Sequence, residues 1–201
     1  MPITPEDHSR IAEAIRAAEE NTSGEIACVL ARSSSEYHAV PVLAGTLLAL
    51  TVPWAFVFLT QWSVERILVA QFFIFVLATA FCALTPLGMA LVPRRIKRVR
   101  AHRAAMEQFH SRGLGRLESR AGVLIYVSLA ERYARIVVDD HLAEKIHASE
   151  WRGAVDGLTA NMKDGRVADG FVAAIARCGA VLAGHAPGAH TGKLPDRLYV
   201  V

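Results

Sequence analysis

Two long stretches of the chain carry no charged side chain. Residues 40–60 and 67–92 contain no Asp, Glu, Lys or Arg, and only the sequence QWSVER separates them. A helix needs roughly 20 predominantly apolar residues to cross a hydrocarbon core of about 30 Å while satisfying its own backbone hydrogen bonds. Both stretches reach that length. The pattern therefore predicts a helical transmembrane hairpin in a lipid bilayer, in preference to a pair of buried core helices.

The charges beside the hairpin predict its orientation. Basic residues follow the second stretch without an intervening acid: Arg94, Arg95, Lys97, Arg98, Arg100 and Arg103. The connection between the two stretches has only Arg66, which stands beside Glu65. Loops rich in Lys and Arg stay in the cytoplasm. We therefore expect a multi-pass protein of the plasma (inner) membrane with both termini cytoplasmic.

The segment before the hairpin predicts one helix and one strand. Thr4 and Pro5, followed by two acids, are typical of a helix start, and Ile11 and Ile15 repeat at helical spacing. Residues 25–31 are a short β-prone run of the kind buried on both faces of a sheet. One helix and one strand cannot bury a core alone, so we expect this segment to pack with the residues after the hairpin.

Helical and strand patterns alternate after the hairpin. A basic helix is predicted from residue 94 to about 112, two strands at 120–130 and 133–138 are joined by residues 131–132, and helices end near residues 146, 162 and 182. This order predicts a small α/β sandwich interrupted by the membrane hairpin. The predicted parts are 1–39 (helix and strand), 40–92 (hairpin, with spans 40–60 and 67–92), 93–185 (remainder of the sandwich) and 186–201 (flexible tail).

The basic residues after the hairpin have three interpretations. They form a solvated face that fixes the topology, a patch that binds anionic lipid headgroups, or a nucleic-acid site. A Lys or Arg near an anionic leaflet contributes about 1 kcal/mol. The net charge is only +3, and no interleaved aromatic residues accompany the cluster. The solvated face that fixes the topology is the favoured interpretation; if these residues bind a partner, we expect anionic lipid headgroups and no nucleic acid.

Acidic residues near the predicted strand ends are the candidate metal ligands. Asp139 and Asp140 follow the second strand of the predicted β-hairpin at 120–138. Together with Glu25 or Glu131 they could converge to hold a hard divalent cation, Ca²⁺ or Mg²⁺, through carboxylate oxygens. The alternative is that these acids cap helices and interact with solvent, which requires no ligand.

Other chemistry has weaker signals in the sequence. Cys28, Cys82 and Cys178 are far apart, so we expect reduced cysteines that serve packing. No histidine pair among 102, 110, 141 and 147 has the i, i+4 spacing of a zinc site. The chain has neither a phosphate-binding glycine-rich motif nor a Gly-x-Ser-x-Gly sequence. No catalytic residue and no organic cofactor are predicted.

Three segments carry a resemblance to a known family: TSGEIACVL at 22–30, AGVLIYVSLAERYARIVV at 121–138, and ADGFVAAIA at 168–176. They resemble the TPM domain, and the variant with two membrane helices after the first strand resembles a bacterial membrane-protein branch of that family. The resemblance implies an α/β/α sandwich and, in some relatives, divalent-metal binding and weak acid phosphatase activity. Relatives carry a Gly-Tyr-Gly-Leu-like turn and acids after the second hairpin strand, whereas this chain has VDDHL at 138–142.

Two functions follow from these observations. The favoured one is a noncatalytic binding or assembly module, tethered to the bilayer and paired with another membrane protein or with a second copy of the chain. The alternative is a metal-dependent hydrolase similar to an acid phosphatase. A shared fold does not decide between them, because function resides in the site rather than in the fold.

Overall fold

The computed structural model describes residues 3–35, 39–85, 87–188, 192 and 194–201. The chain divides into two compact units, Met1–Ser34 with Arg98–Val201, and Ser35–Lys97. The helices are α1 (Pro5–Glu19), α2 (Ala39–Leu59), α3 (Val64–Leu84), α4 (Leu87–Leu91), α5 (Arg94–Ser111), α6 (Asp140–Lys145), α7 (Ala148–Lys163) and α8 (Val167–His185). The strands are β1 (Glu25–Ala31), β2 (Gly122–Ser128), β3 (Tyr133–Val138) and β4 (Leu198–Val200).

The first unit is built on a four-stranded sheet in the order β3-β2-β1-β4. Strand β1 runs parallel to β2, with Glu25 opposite Gly122 and Ala31 opposite Ser128, and β2 runs antiparallel to β3. Every residue of β1 and β2 is buried, as continuous apolar strands are when both faces of a sheet are covered. Strand β1 precedes the apolar helices in sequence and β2 follows them. The segments before and after these helices therefore form one sheet.

Helices cover both faces of this sheet. On one face, Ile11 and Ile15 of α1 pack with Phe171 and Ile175 of α8 and with Leu158 of α7. On the other face, α5 contributes Ala105 and Phe109, and a short 3-10 helix at Leu114–Arg116 contributes Leu114. The predicted α/β/α sandwich is therefore confirmed.

The C-terminal strand was not predicted from the sequence. Leu198–Val200 pairs in parallel with β1, and Leu198 is buried opposite Cys28, in the region predicted as a flexible tail. Three residues are too few to show a strand pattern in the sequence, and the strand is recognised by its pairing with β1. Residues 189–191 and 193 of the predicted tail lie outside the described residues.

The second unit consists mainly of α2 and α3, of 21 residues each. Their large apolar side chains point outward: the side chains of Phe58, Leu59 and Leu84 are 79%, 82% and 88% exposed. Both helices are long and apolar enough to cross a membrane. Among the described helices, α8 also meets that criterion, but its Phe171 and Ile175 are buried in the core of the first unit.

The second apolar stretch is shorter as a helix than the predicted span 67–92. Helix α3 ends at Leu84, Thr85 is extended with φ −108° and ψ 156°, and the short helix α4 begins at Leu87. Residue 86 of the predicted span lies outside the described residues. Thr85 precedes a proline in the sequence, and the residue before a proline is sterically disfavoured in the helical conformation.

Candidate functional site at the two ends of the sheet

Asp139 caps a helix at the end of the sheet where β1 and β2 begin. Its Oδ1 accepts a hydrogen bond from the His141 backbone N–H at 3.0 Å, and its own N–H donates to the Gly122 carbonyl at 3.0 Å. Asp140 is the first residue of α6 and is exposed. A short polar side chain in the capping position satisfies a backbone donor that the helix leaves unpaired. This pair of aspartates therefore serves the local structure of α6.

Glu25 lies at the same end of the sheet and is fully buried. It is the first residue of β1, and its backbone N–H donates to the Ala121 carbonyl at 3.1 Å. Its Oε2 accepts a hydrogen bond from the Leu194 N–H at 3.2 Å. Glu25 therefore fastens the segment that leads into β4.

Glu131 lies at the opposite end of the sheet, in the turn between β2 and β3. Its Oε1 accepts hydrogen bonds from the Ser34 N–H at 3.0 Å and from Ser33 Oγ at 3.3 Å, and its Oε2 accepts one from Ser128 Oγ. These residues follow β1 or end β2. The carboxylate therefore joins the carboxyl ends of the two central strands.

The four predicted metal ligands do not come together. Asp139, Asp140 and Glu25 are separated from Glu131 by the length of a seven-residue strand, which is roughly 20 Å. Across the described parts of the chain, no group of three or more His, Cys, Asp or Glu side chains is placed to hold a metal ion. As a set, the four carboxylates therefore do not fit one Ca²⁺ or Mg²⁺ ion.

A buried carboxyl cluster was missed by the sequence reasoning. Glu19, the last residue of α1, is only 1% exposed, and its Oε1 accepts a hydrogen bond from the Ile26 N–H. Burial is the main cause that raises the pKa of Glu19 to about 8; the bond from Ile26 opposes it, and the charges of Glu25 and Asp196 contribute in the same direction as burial. Glu19 is therefore mostly protonated at neutral pH. The available signal was its spacing, four residues after Ile15 on the buried face of α1.

The basic residues predicted to bind lipid headgroups all lie on α5. In this helix the side chains of Arg94, Arg95, Arg98 and Arg103 are exposed, and those of Lys97 and Arg100 are half-buried. The later residues Ala105 and Phe109 pack against the sheet. The first turns of α5 thus present cations, while its last turns belong to the core.

Comparison with known proteins identifies the domain. Residues 89–181 match the family model of the TPM domain. The NMR structure of the BA42 protein from the psychrophilic bacterium Bizionia argentinensis is similar, with a TM-score of 0.63 and 20% sequence identity over 100% of this chain and 97% of that one. No curated protein matches the sequence. The chain therefore contains a TPM domain and has the corresponding α/β fold, which confirms the resemblance found in the sequence.

Proposed function

We propose that the chain is a membrane-anchored binding or assembly module whose TPM domain lies on the cytoplasmic face of the plasma membrane. The observation that carries this proposal is the exposure of large apolar side chains along α2 and α3, including Phe58 and Leu59. A water-exposed apolar surface of that extent is unfavourable, whereas hydrocarbon accommodates it. A helix of 21 residues is roughly 32 Å long, which matches the hydrocarbon core.

The orientation is supported by the sheet and by the charges. Strand β1 precedes the hairpin and pairs along its full length with β2, which follows it. Two segments that share a sheet must lie on the same side of a bilayer. The basic residues of α5 favour the cytoplasmic side. Reporter fusions at each terminus test this topology, and opposite locations for the two ends would overturn it.

A binding role is supported by how the acidic residues are used. Asp139 caps α6, Glu25 holds the segment before β4, and Glu131 joins the ends of β1 and β2. Each carboxylate accepts hydrogen bonds from backbone N–H groups. We therefore assign the binding of a partner to the exposed cations of α5. Anionic lipid headgroups fit them, with about 1 kcal/mol from each Lys or Arg near the surface.

Lipid retention tests the headgroup contact. The purified protein is analysed by native mass spectrometry after reconstitution with phosphatidylglycerol and phosphatidylcholine. Replacing Arg94, Arg95 and Arg98 by Gln is expected to lower phosphatidylglycerol retention at least tenfold, given about 1 kcal/mol for each charge. The matched control replaces three exposed cations elsewhere, Lys145, Arg152 and Lys163. Equal losses in both variants would contradict a specific headgroup patch.

Phosphomonoester hydrolysis by the detergent-solubilised protein, with Ca²⁺ or Mg²⁺ added, tests the noncatalytic role. Asp139→Asn and Asp140→Asn together are the informative variant, because Asn keeps the capping hydrogen bond while removing the charge. The proposed function predicts no metal-dependent turnover in the wild type. Turnover that requires metal and disappears in the Asn variant would instead establish the hydrolase.

A further inference from the structure

Gln71 is a polar residue within the apolar helix α3. It lies seven residues after Val64, the first residue of the helix, and therefore roughly 10 Å along the helix axis. Its side chain borders a groove between α2 and α3, which is otherwise lined by residues including Ala49, Leu68 and Phe72. The carboxamide of Gln71 makes no hydrogen bond to any residue in the described part of the chain.

Helix α2 contains a backbone carbonyl without its regular helical donor. Pro53 lies inside α2 and has no N–H, so the Ala49 carbonyl, four residues earlier, loses its regular donor. Ala49 borders the groove with Gln71 but is itself only 6% exposed. In hydrocarbon no water satisfies such groups, and each unsatisfied group is unfavourable by several kcal/mol. The carboxamide of Gln71 is therefore the group in this groove that calls for a partner within the membrane.

We propose that this groove is the docking surface for the same groove of a second copy of the chain, in a two-fold symmetric dimer with Gln71 hydrogen-bonded to Gln71. A carboxamide is both donor and acceptor, so two of them are mutually complementary. Copies inserted with the same topology carry Gln71 at the same depth, and a two-fold axis along the membrane normal brings identical residues together. A different partner would need a polar residue at that depth.

A small exposed side chain supports close approach at this surface. Thr46 is exposed on the α2 side of the groove, and interfaces between membrane helices are enriched in small residues because these allow backbones to come near. Side-chain hydrogen bonds between helices add to that packing in lipid. The inference requires that the hairpin lies in the bilayer. It does not depend on headgroup binding by α5.

Energy transfer between differently labelled full-length chains in vesicles tests the dimer. Protein carrying a donor or an acceptor fluorophore at the C-terminus is reconstituted over a dilution series of protein-to-lipid ratios. Gln71→Leu is expected to weaken dimerisation about tenfold, equivalent to about 1.4 kcal/mol, for a mutual pair of interhelical hydrogen bonds. The matched control is Gln61→Leu, which changes the same residue type in the exposed connection between α2 and α3.

Three outcomes would overturn the proposal: a wild type that is monomeric throughout the series, a Gln71→Leu variant that dimerises as the wild type does, or an equal loss in the Gln61→Leu variant. Leu is more apolar than Gln, so the Gln71 variant inserts at least as well. Protease protection of the hairpin in the same vesicles separates this test from the proposed anchoring. Failure of the wild type to insert would contradict both proposals, whereas an inserted monomer would contradict only the dimer.

Discussion

The guanidinium carbon of Arg112 lies 3.6 Å from the centre of the Tyr199 ring. Arg112 directly follows α5, and Tyr199 is the middle residue of β4, so the contact joins the basic helix to the C-terminal strand. The guanidinium carbon of Arg197 is 4.7 Å from the same ring. A cation over an aromatic face is attracted by the ring quadrupole. These side-chain contacts add to the backbone pairing with β1 that holds the three-residue strand β4 on the sheet.

Arg112→Met is expected to loosen β4. The substitution removes the charge over Tyr199 but keeps an apolar stem, with an expected loss of about 1 kcal/mol. Hydrogen exchange of the Val201 amide, which bonds to the Leu30 carbonyl at 3.0 Å, is then expected to accelerate about fivefold. Arg116→Met, which removes an exposed cation from the same region, is the control. Unchanged exchange at Val201 would show that Arg112 does not retain the strand.

The stability of the TPM domain is expected to fall as the pH rises from 4.5 to 8. Burial raises the pKa of Glu19 from 4.5 to about 8, so in this interval the folded state binds a proton that the unfolded state has released. The free energy of unfolding then decreases with a slope of up to about 1.4 kcal/mol per pH unit. Below pH 4.5 both states are protonated and above pH 8 both are ionised, so this dependence flattens at each end.

Glu19→Gln removes this dependence while keeping a neutral hydrogen-bonding side chain. Chemical denaturation is followed by the fluorescence of Trp151, with Trp54 and Trp62 replaced by Phe so that no other tryptophan remains. The variant is expected to lose the decline between pH 5 and 8 and to exceed the parent protein in stability at pH 8. Glu20→Gln, at the exposed neighbouring position, should retain the parent pH profile. Parallel profiles for the parent and Glu19→Gln would contradict a protonated Glu19.

The sequence predicts the elements whose signals are local. Strands β1, β2 and β3 are continuous apolar or β-prone runs bounded by turn residues, and the two uncharged stretches have the length of membrane spans. These signals depend on neighbouring residues only. The packing of β1 with the residues after the hairpin could be anticipated because one helix and one strand cannot form a core alone.

Which acidic residues lie close together depends on the tertiary fold and not on neighbouring residues in the sequence. Glu131 and Asp139 both lie at predicted strand ends, but they stand at the two ends of β3 and therefore at opposite ends of the sheet. The role of Glu19 required knowing that Asp196 returns to the start of β1, next to β4. Sequence distance gives no indication of such an encounter. The sequence therefore identifies the acidic residues but does not indicate which of them lie next to each other in the fold.

Glu131→Ala is expected to destabilise the TPM domain by about 1–3 kcal/mol. The substitution leaves the Ser34 N–H and Ser128 Oγ without the acceptor that joins the ends of β1 and β2, and an unsatisfied buried donor carries a penalty of this size. Glu131→Gln keeps an acceptor and should lose less. Denaturant unfolding measures both, with Glu107→Ala on the exposed side of α5 as the control. A Glu131→Ala variant as stable as the Glu107 control would argue against the structural role.

Gly45→Leu is expected to destabilise the helical hairpin. Gly45 is buried in α2 against α3, and a side chain there would collide with Thr79 and approach the Phe75 carbonyl oxygen to 3.2 Å. Both neighbours belong to a helix and yield little, so the helices must separate, at a cost of about 1–3 kcal/mol. Titration with sodium dodecyl sulfate in mixed micelles, with energy transfer between labels on the two helices, measures the loss. Ala55→Leu, at an exposed position of α2, should leave the midpoint unchanged, and equal midpoints for both variants would refute close packing at Gly45.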